Sequence, residues 1–155
     1  VHSYVHGGRV GVLVEVNSET DFVARNEGFQ KFVADIAMHI AASSPQFIST
    51  DEITDEVKES ERKALIAKAL EDGKKEEFLD KIIDGQMNKW AASICLLNQK
   101  YVKNPDITVE HYLKETIASI GENLVIRRFA LFELGEGLEK KSENFADEVA
   151  AQMKG

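Results

Sequence analysis

The sequence has 155 residues, of which 43% are hydrophobic and 30% charged, a balance typical of a folded chain rather than a disordered one. Its 27 acidic side chains outnumber the 19 basic ones, and the formal net charge of −8 disfavours direct binding to nucleic acid. No apolar run approaches the roughly 20 residues of a membrane-spanning helix, so we expect no membrane contact. A single cysteine excludes an internal disulfide and favours a reducing compartment.

The first predicted elements are two strands joined by a glycine turn. Tyr4 and Val5 favour a short strand, and Gly7 and Gly8 mark the turn that follows it. Residues 10–16 are mostly apolar and β-branched, which predicts a second strand. The glycines precede a strand rather than open a helix, so they do not indicate a phosphate-binding loop.

A helical period replaces the strand pattern from Thr20 onward and ends at the sequence Ser43-Ser44-Pro45. Five apolar residues share one face of this helix: Phe29, Phe32, Val33, Ile36 and Ile40. Spacing alone favours a core position for Phe22 as well, because it precedes Phe29 by seven residues. The alternative is that Gly28 breaks the helix and the Thr20–Asn26 turn tilts away, which would expose Phe22 as a binding anchor.

Residues 54–97 predict an antiparallel helical hairpin. Ser49 and Glu52 ahead of it have the spacing of a capping box. The first helix, 54–72, ends at Gly73 and has a narrow apolar stripe of Val57, Ala64 and Leu65. The second helix has a longer apolar stripe, formed by Phe78, Leu79, Ile82, Ile83, Met87, Trp90, Ile94 and Leu97.

The remainder of the chain predicts a loop over 98–107 with a short extended stretch at Tyr101-Val102. Thr108 is the expected N-cap of a helix that ends at Gly121. A strand over 124–134 follows, and Ser142 is the expected start of a final helix. The two long strands would have to pair across the helical segments that separate them. We therefore expect an α+β fold, with a small antiparallel sheet packed against helices and a projecting antiparallel helical hairpin.

Within the last strand, simple alternation puts Ile126, Arg128, Ala130 and Phe132 on one face and the residues between them on the other. For the two neighbouring arginines, Arg127 and Arg128, the expectation is one exposed side chain and one paired with a carboxylate.

No constellation of acid, base and nucleophile stands out, so we expect neither an enzyme nor a cofactor. His2 and His6 share one segment while His39 and His111 are isolated, which is a poor basis for a zinc site. Cys95 lies on the apolar stripe of the second hairpin helix. It is expected to be a packed thiol rather than a nucleophile.

The segment 15–27 closely resembles the elongation factor Ts signature, in which Thr-Asp-Phe-Val follows a strand ending in Val-Asn. The matching residues here are Thr20, Asp21, Phe22 and Val23. Further segments similar to this family occur in the family's order over nearly the whole chain: 4–14, 36–42, 120–123, 127–129 and 132–137.

The resemblance implies a guanine-nucleotide exchange factor in translation elongation. Such a protein binds elongation factor Tu in its GDP-bound and nucleotide-free forms. It promotes GDP release by disturbing the Mg²⁺ and nucleotide site of that GTPase, which allows GTP to reload. Thr20 to Val23 would carry this contact, and Val10, Gly11 and His39 match a second contact patch. His39 lies at the edge of its helix's apolar stripe, so a purely structural histidine is the alternative.

The same resemblance implies that residues 1–155 form the family's core domain in a short, single-copy version of bacterial or plastid type. The family's N-terminal domain, similar to a ubiquitin-associated fold, is expected to be absent. The resemblance implies that longer members carry two related halves in one chain, and that short members pair two chains to rebuild this arrangement. A homodimer is therefore expected. The expected location is the bacterial cytoplasm or the plastid stroma. The alternative function is a ribosome-associated or structural translation helper that uses this core without exchange activity.

Overall fold

The computed structural model describes residues 1–74 and 76–138, apart from the side chains of 76–78. The predicted stripe position of Phe78 and the predicted helix after Ser142 therefore lie outside the described part. Within the described residues, the α-helices and β-strands are β1 (His2–His6), β2 (Val10–Ser18), α1 (Asp21–Ala24), α2 (Glu27–Ser43), α3 (Asp55–Glu71), α4 (Glu76–Ile94), β3 (Lys100–Tyr101), β4 (Asn104–Thr108), α5 (Val109–Ile120) and β5 (Leu124–Glu133). This is the expected α+β fold.

The main sheet has three antiparallel strands in the order β1-β2-β5. Gly7 and Gly8 both have positive φ angles, 55° and 67°, and the Arg9 N–H donates to the His6 carbonyl at 3.0 Å. Such a turn matches the twist of a two-stranded hairpin and is open to glycine at little steric cost. Strands β2 and β5 pair across about a hundred residues of chain, as predicted.

The core lies between the inner face of this sheet and the helices α2 and α5. The five residues predicted for the apolar face of α2 are all buried. They pack in one cluster with Val12, Val14 and Val16 of β2 and with Leu124 and Ile126 of β5. Thr108 caps α5 by accepting a hydrogen bond from the His111 N–H at 3.2 Å. Gly121 ends that helix with a φ of 82°, as predicted.

A β-bulge changes the facing of β5. Glu15 pairs with Arg128 and Val16 pairs with Ile126, so Arg127 is an extra residue on this strand. Beyond it, Phe129 faces inward whereas Ala130 faces solvent. The predicted alternation is therefore wrong after Ile126, because one inserted residue moves each following side chain to the opposite face.

Both arginines at the bulge bind the same carboxylate, whereas the sequence predicted one pair. Arg127 Nη1 lies 3.1 and 3.2 Å from the two carboxylate oxygens of Glu15, and Arg128 Nε lies 2.6 Å from one of them. The hydrogen bond from Arg128 leads the effects that lower the pKa of Glu15. The bulge thus brings two cations to one acceptor.

Helices α3 and α4 form the predicted antiparallel pair, and Arg62 donates to Asp84 across it at 2.8 Å. The predicted stripe of α3 is wrong in detail. Val57 and Ala64 are exposed and Leu65 is half-buried, while Ala69 is the buried residue. The face that meets α4 is therefore rotated toward Arg62 and Ala69. With few large apolar side chains, α3 gives spacing too weak a pattern to fix that rotation.

The segments that flank the hairpin also differ from the prediction. Ser49 makes no capping bond with its side chain, and Glu52 instead accepts the Ile48 N–H at 2.7 Å. Helix α4 ends at Ile94, so Leu97 belongs to a short 3-10 turn rather than to the helix. Residues 98–107, predicted as a loop, form the β3–β4 hairpin, whose second strand contains a proline and lies at a sheet edge.

Within residues 1–74 and 76–138, no helix combines the length and the apolar character that crossing a bilayer requires.

Candidate partner-binding site

The signature turn lies between the end of β2 and the start of α2. Its four residues Asp21–Ala24 form α1, and the chain then breaks at Asn26. The Asn26 side-chain oxygen accepts the N–H groups of Gly28 and Phe29 at 2.8 and 3.2 Å, the geometry of an N-cap. The break predicted at Gly28 is therefore at Asn26, and Gly28 lies inside the first turn of α2.

The break decides the position of Phe22. Its side chain is 84% exposed, whereas the neighbouring Val23 is 9% exposed and belongs to the core. The core position predicted for Phe22 from spacing is wrong, because α1 and α2 are separate helices and do not share one continuous face. The exposed placement is confirmed. Asp21, at the start of α1, is exposed beside it.

Hydrogen bonds fix the turn to a distant loop. Thr20 donates its hydroxyl to Glu122 Oε1 at 2.8 Å and its N–H to Glu122 Oε2 at 3.1 Å. In return, the Asn123 N–H donates to Glu19 Oε2 at 3.2 Å. We call these three bonds the turn clamp. Thr20 occupies the N-cap position of α1 without making a side-chain cap, because its hydroxyl is bonded to Glu122 instead.

The second predicted patch lies at the other end of β2. Val10 and Gly11 begin this strand, and the nine residues to Ser18 span about 25 Å. Gly11 pairs with Val5 on one side and Phe132 on the other. A shallow hollow of about 270 Å³ opens here, lined by Val5, Gly8, Arg9, Val10, Gly11, Phe132, Glu133 and Leu134. The structure therefore does not bring the two patches together.

His39 lies inside the protein. Its side chain is fully buried, its Nδ1 accepts the Val102 N–H at 3.3 Å, and its Nε2 lies 2.9 Å from the side-chain oxygen of Gln99. Because Val102 is a donor, the ring proton belongs on Nε2, which donates to Gln99. Burial lowers the pKa of His39 and favours this neutral form. The geometry therefore supports a structural role for His39, since the buried ring offers no surface to a partner in this conformation.

Cys95 is buried just after α4, beside Phe47, with which it forms a short parallel bridge. Burial raises the pKa of its thiol, which keeps it protonated and poorly nucleophilic. Among residues 1–74 and 76–138, no three His, Cys, Asp or Glu side chains converge as metal ligands would.

Comparison with known proteins agrees with the signature turn. The family model described as Elongation factor TS matches residues 1–136. Elongation factor Ts of Alkaliphilus metalliredigens is 58% identical over 153 residues, which cover 99% of this chain and 71% of the relative. Elongation factor Ts of Geobacter sulfurreducens is 61% identical over 152 residues, covering 97% of this chain and 70% of the relative. The protein of that name from Geobacter metallireducens is 62% identical over the same length and shares. The chain belongs to the elongation factor Ts family and has a role in translation elongation.

Proposed function

We propose that this protein is a guanine-nucleotide exchange factor that binds elongation factor Tu and promotes the release of GDP from it. The observation that carries the proposal is the 84% exposure of Phe22 on a turn held by the clamp. A large aromatic side chain on a rigid, projecting turn is a typical hot-spot anchor of a protein interface. Thr20, Asp21, Phe22 and Val23 form this primary contact.

Each residue of the turn has a distinct part in the contact. Burying Phe22 in a pocket of the GTPase stabilises the complex by about 1.5–3 kcal/mol. Val23 supports the turn from below, because it is already part of the core. Asp21 brings a negative charge near the Mg²⁺ site, where Mg²⁺ normally offsets the phosphate charges. Disturbing that ion weakens GDP binding.

Exchange follows from reciprocal coupling between two binding events. A factor that binds the nucleotide-free GTPase more tightly than the GDP-bound form must weaken GDP by the same ratio. A turn that is already ordered loses little conformational entropy on binding. The free energy of the Phe22 contact is then available to favour the nucleotide-free state.

The second contact is proposed at the hollow where β2 begins. Val10 and Gly11 meet the GTPase there, and the lack of a side chain at Gly11 leaves open space for a partner. Because His39 is buried, its proposed part in this contact is indirect, as a support for α2 from inside the protein. Ser44, just after its helix, donates to Glu133 at 2.5 Å, and Glu133 pairs with Val10 in the sheet. The end of α2 is thereby fixed to the patch.

We also propose that the protein forms a homodimer through the outer face of the main sheet. On this face Leu13 is 50% exposed and pairs with Ala130. Both line a hollow together with Val1, and this hollow shares no residue with the one proposed for the GTPase. Such a contiguous apolar patch favours an interface. A second copy is the proposed occupant, because one apolar patch can meet its own copy about a two-fold axis.

Sedimentation velocity over a range of concentrations tests the dimer. The wild type is expected to associate at high concentration. Leu13→Glu, chosen because Leu13 does not line the hollow proposed for the GTPase, is expected to remain monomeric. Val57→Glu places the same charge on an exposed residue of α3 and serves as the control. A wild type that stays monomeric at the highest concentration overturns the proposal.

Stopped-flow release of fluorescent GDP from elongation factor Tu tests the proposed exchange activity. The wild type is expected to accelerate release at micromolar concentration. Phe22→Ala should lower this acceleration about tenfold or more, as expected for an interface anchor, while the folded state remains intact. Leu70→Ala removes an exposed apolar side chain from α3 and should behave as the wild type does.

The outcomes separate the rival functions. No acceleration by the wild type overturns the exchange function. If the wild type nevertheless binds elongation factor Tu or ribosomes, the helper without exchange activity is supported. Equal acceleration by Phe22→Ala and wild type would show that exchange depends on another surface. Because the compared relatives are bacterial, we propose the bacterial cytoplasm as the site of action.

A further inference from the structure

Glu122 uses both of its carboxylate oxygens on a single residue. It lies in the loop between α5 and β5, directly after Gly121, whose left-handed backbone ends α5. Oε1 accepts the Thr20 hydroxyl and Oε2 accepts the Thr20 N–H. An ionised carboxylate forms stronger hydrogen bonds than a neutral acceptor does. Two such bonds to one residue fix both its position and its orientation.

The clamp is the main polar restraint on the start of α1. This helix has four residues and no side-chain cap of its own. Phe22 points into solvent and cannot hold itself in place, while Val23 anchors one point of the turn in the core. Asn26 fixes the far end through its bonds to α2. Without Glu122, the near end of the turn would lose two of the hydrogen bonds that define its direction.

We propose that Glu122 is a positioning residue for nucleotide exchange, which holds the Phe22 turn in the orientation that the partner recognises. This inference rests on the proposed exchange function and extends it to a residue about a hundred positions away in sequence. Glu122 need not contact the GTPase to act. Its bonds lie at exposed positions, where charged contacts add little to global stability, so their principal effect is on local geometry.

Two substitutions of Glu122 remove its hydrogen-bond acceptors to different extents. Glu122→Ala removes both acceptors, and Glu122→Gln keeps the shape and one acceptor oxygen. Because hydrogen bonds of ordinary strength are lost, acceleration of GDP release should fall about threefold to tenfold in Glu122→Ala. The fall should be smaller in Glu122→Gln. Glu115→Gln, on the exposed part of α5, is the matched control and should match the wild type.

Hydrogen–deuterium exchange gives a readout that a general loss of stability would not produce. In Glu122→Ala, the amides of residues 20–25 should exchange faster, while core amides of β2 and α2 keep their protection. Thermal midpoints should stay close to that of the wild type. Unchanged protection at residues 20–25, or a loss of protection across the whole core, overturns the positioning role.

A double-mutant cycle tests whether Glu122 acts through Phe22. In the Phe22→Ala background, Glu122→Ala should lower exchange far less than it does in the wild type, because the side chain that it positions is gone. Fully additive losses overturn the inference. If the wild type does not accelerate GDP release, the proposed function fails, and amide protection then reports only whether the clamp orders the turn. If the wild type accelerates release and Glu122→Ala accelerates it equally, the positioning role alone fails.

Discussion

The Phe22 turn exposes an apolar side chain to solvent, whereas the polar network on α2 buries a charged one. The turn holds an aromatic side chain in solvent and makes its hydrogen bonds at the surface. In the network, buried Asp35 accepts from Lys31 at 2.8 Å, from Lys103 at 2.6 Å and from the Tyr112 hydroxyl at 2.9 Å. The first region exposes what the core would bury, and the second buries what water would solvate.

The two regions differ in what a mutation can change. Asp35 and His39 both attach the β3–β4 hairpin to α2, through Lys103 and the Val102 N–H. Their loss should lower the stability of the fold. Phe22 has almost no contact to lose within its own chain. A motif match therefore cannot by itself separate a contact residue from a supporting one, whereas burial separates Phe22 from His39.

The largest expected effect on stability is that of His39→Ala. The substitution leaves a cavity, removes the donor to the buried Gln99 side-chain oxygen and removes the acceptor of the Val102 N–H. We expect a loss of about 3 kcal/mol in the free energy of unfolding, measured by urea denaturation. His111→Ala, at an exposed position on α5, should change it by less than about 0.5 kcal/mol. An equally stable His39→Ala protein that binds elongation factor Tu weakly would instead make His39 a direct contact.

Acid should weaken the α2 network next. Burial raises the pKa of Asp35, but hydrogen bonds from Lys103, Lys31 and Tyr112 outweigh it and lower that pKa from 3.8 to about 2. Because the pKa of Asp35 is lower in the folded state than in the unfolded state, its ionised carboxylate stabilises the fold fully above about pH 4. This stabilisation is lost as the pH falls toward about 2. The contribution is about 2 kcal/mol.

The pH dependence is measured as the unfolding free energy of the wild type minus that of Asp35→Asn between about pH 2 and about pH 6. The difference should shrink below about pH 4, because the amide that replaces the carboxyl group cannot ionise. A difference independent of pH would show that Asp35 has no depressed pKa. Loss of the Phe22 turn by Phe22→Ala should leave this profile unchanged, since the two regions share no hydrogen bond.

The smallest pair of effects lies within the turn itself. Val23→Ala should lower the unfolding free energy by about 1–2 kcal/mol, because it removes two buried carbon atoms. Phe22→Ala should change it by less than about 0.5 kcal/mol. Thermal unfolding of the two variants, followed by circular dichroism, compares adjacent residues on one helix. Equal destabilisation by both would place Phe22 in a core contact.

Local periodicity predicted the parts of the fold that depend on one segment. The apolar face of α2, the cap of α5 at Thr108 and the two main strands were all readable from short windows of sequence. The exposure of Phe22 was the hard case, because spacing favoured the core and only the resemblance to a known signature favoured the surface. The signal for the break was Asn26, a strong N-cap residue two positions before the glycine to which the break was assigned.

Features that depend on two distant segments were not predictable. The bulge at Arg127 becomes visible only when β5 is aligned with β2. The bond between Thr20 and Glu122 joins residues 102 positions apart, and nothing in either neighbourhood specifies the other. Periodicity puts His39 only at the edge of a stripe, because it does not show that the β3–β4 hairpin covers this residue. Long-range pairing therefore limited the prediction of the site as well as of the fold.

The separation of β2 from β5 has a consequence for how the protein forms during synthesis. The central strand obtains its second neighbour only after about a hundred further residues have been made. At bacterial-type elongation rates this takes about 5–20 s. During that interval one edge of β2 can pair only with other segments, a hazard for any exposed strand. The helical hairpin, whose contacts are local, can form while the chain is still growing. The main sheet, whose central strand has one proposed contact patch at each end, is thus completed only after the helical hairpin has been made.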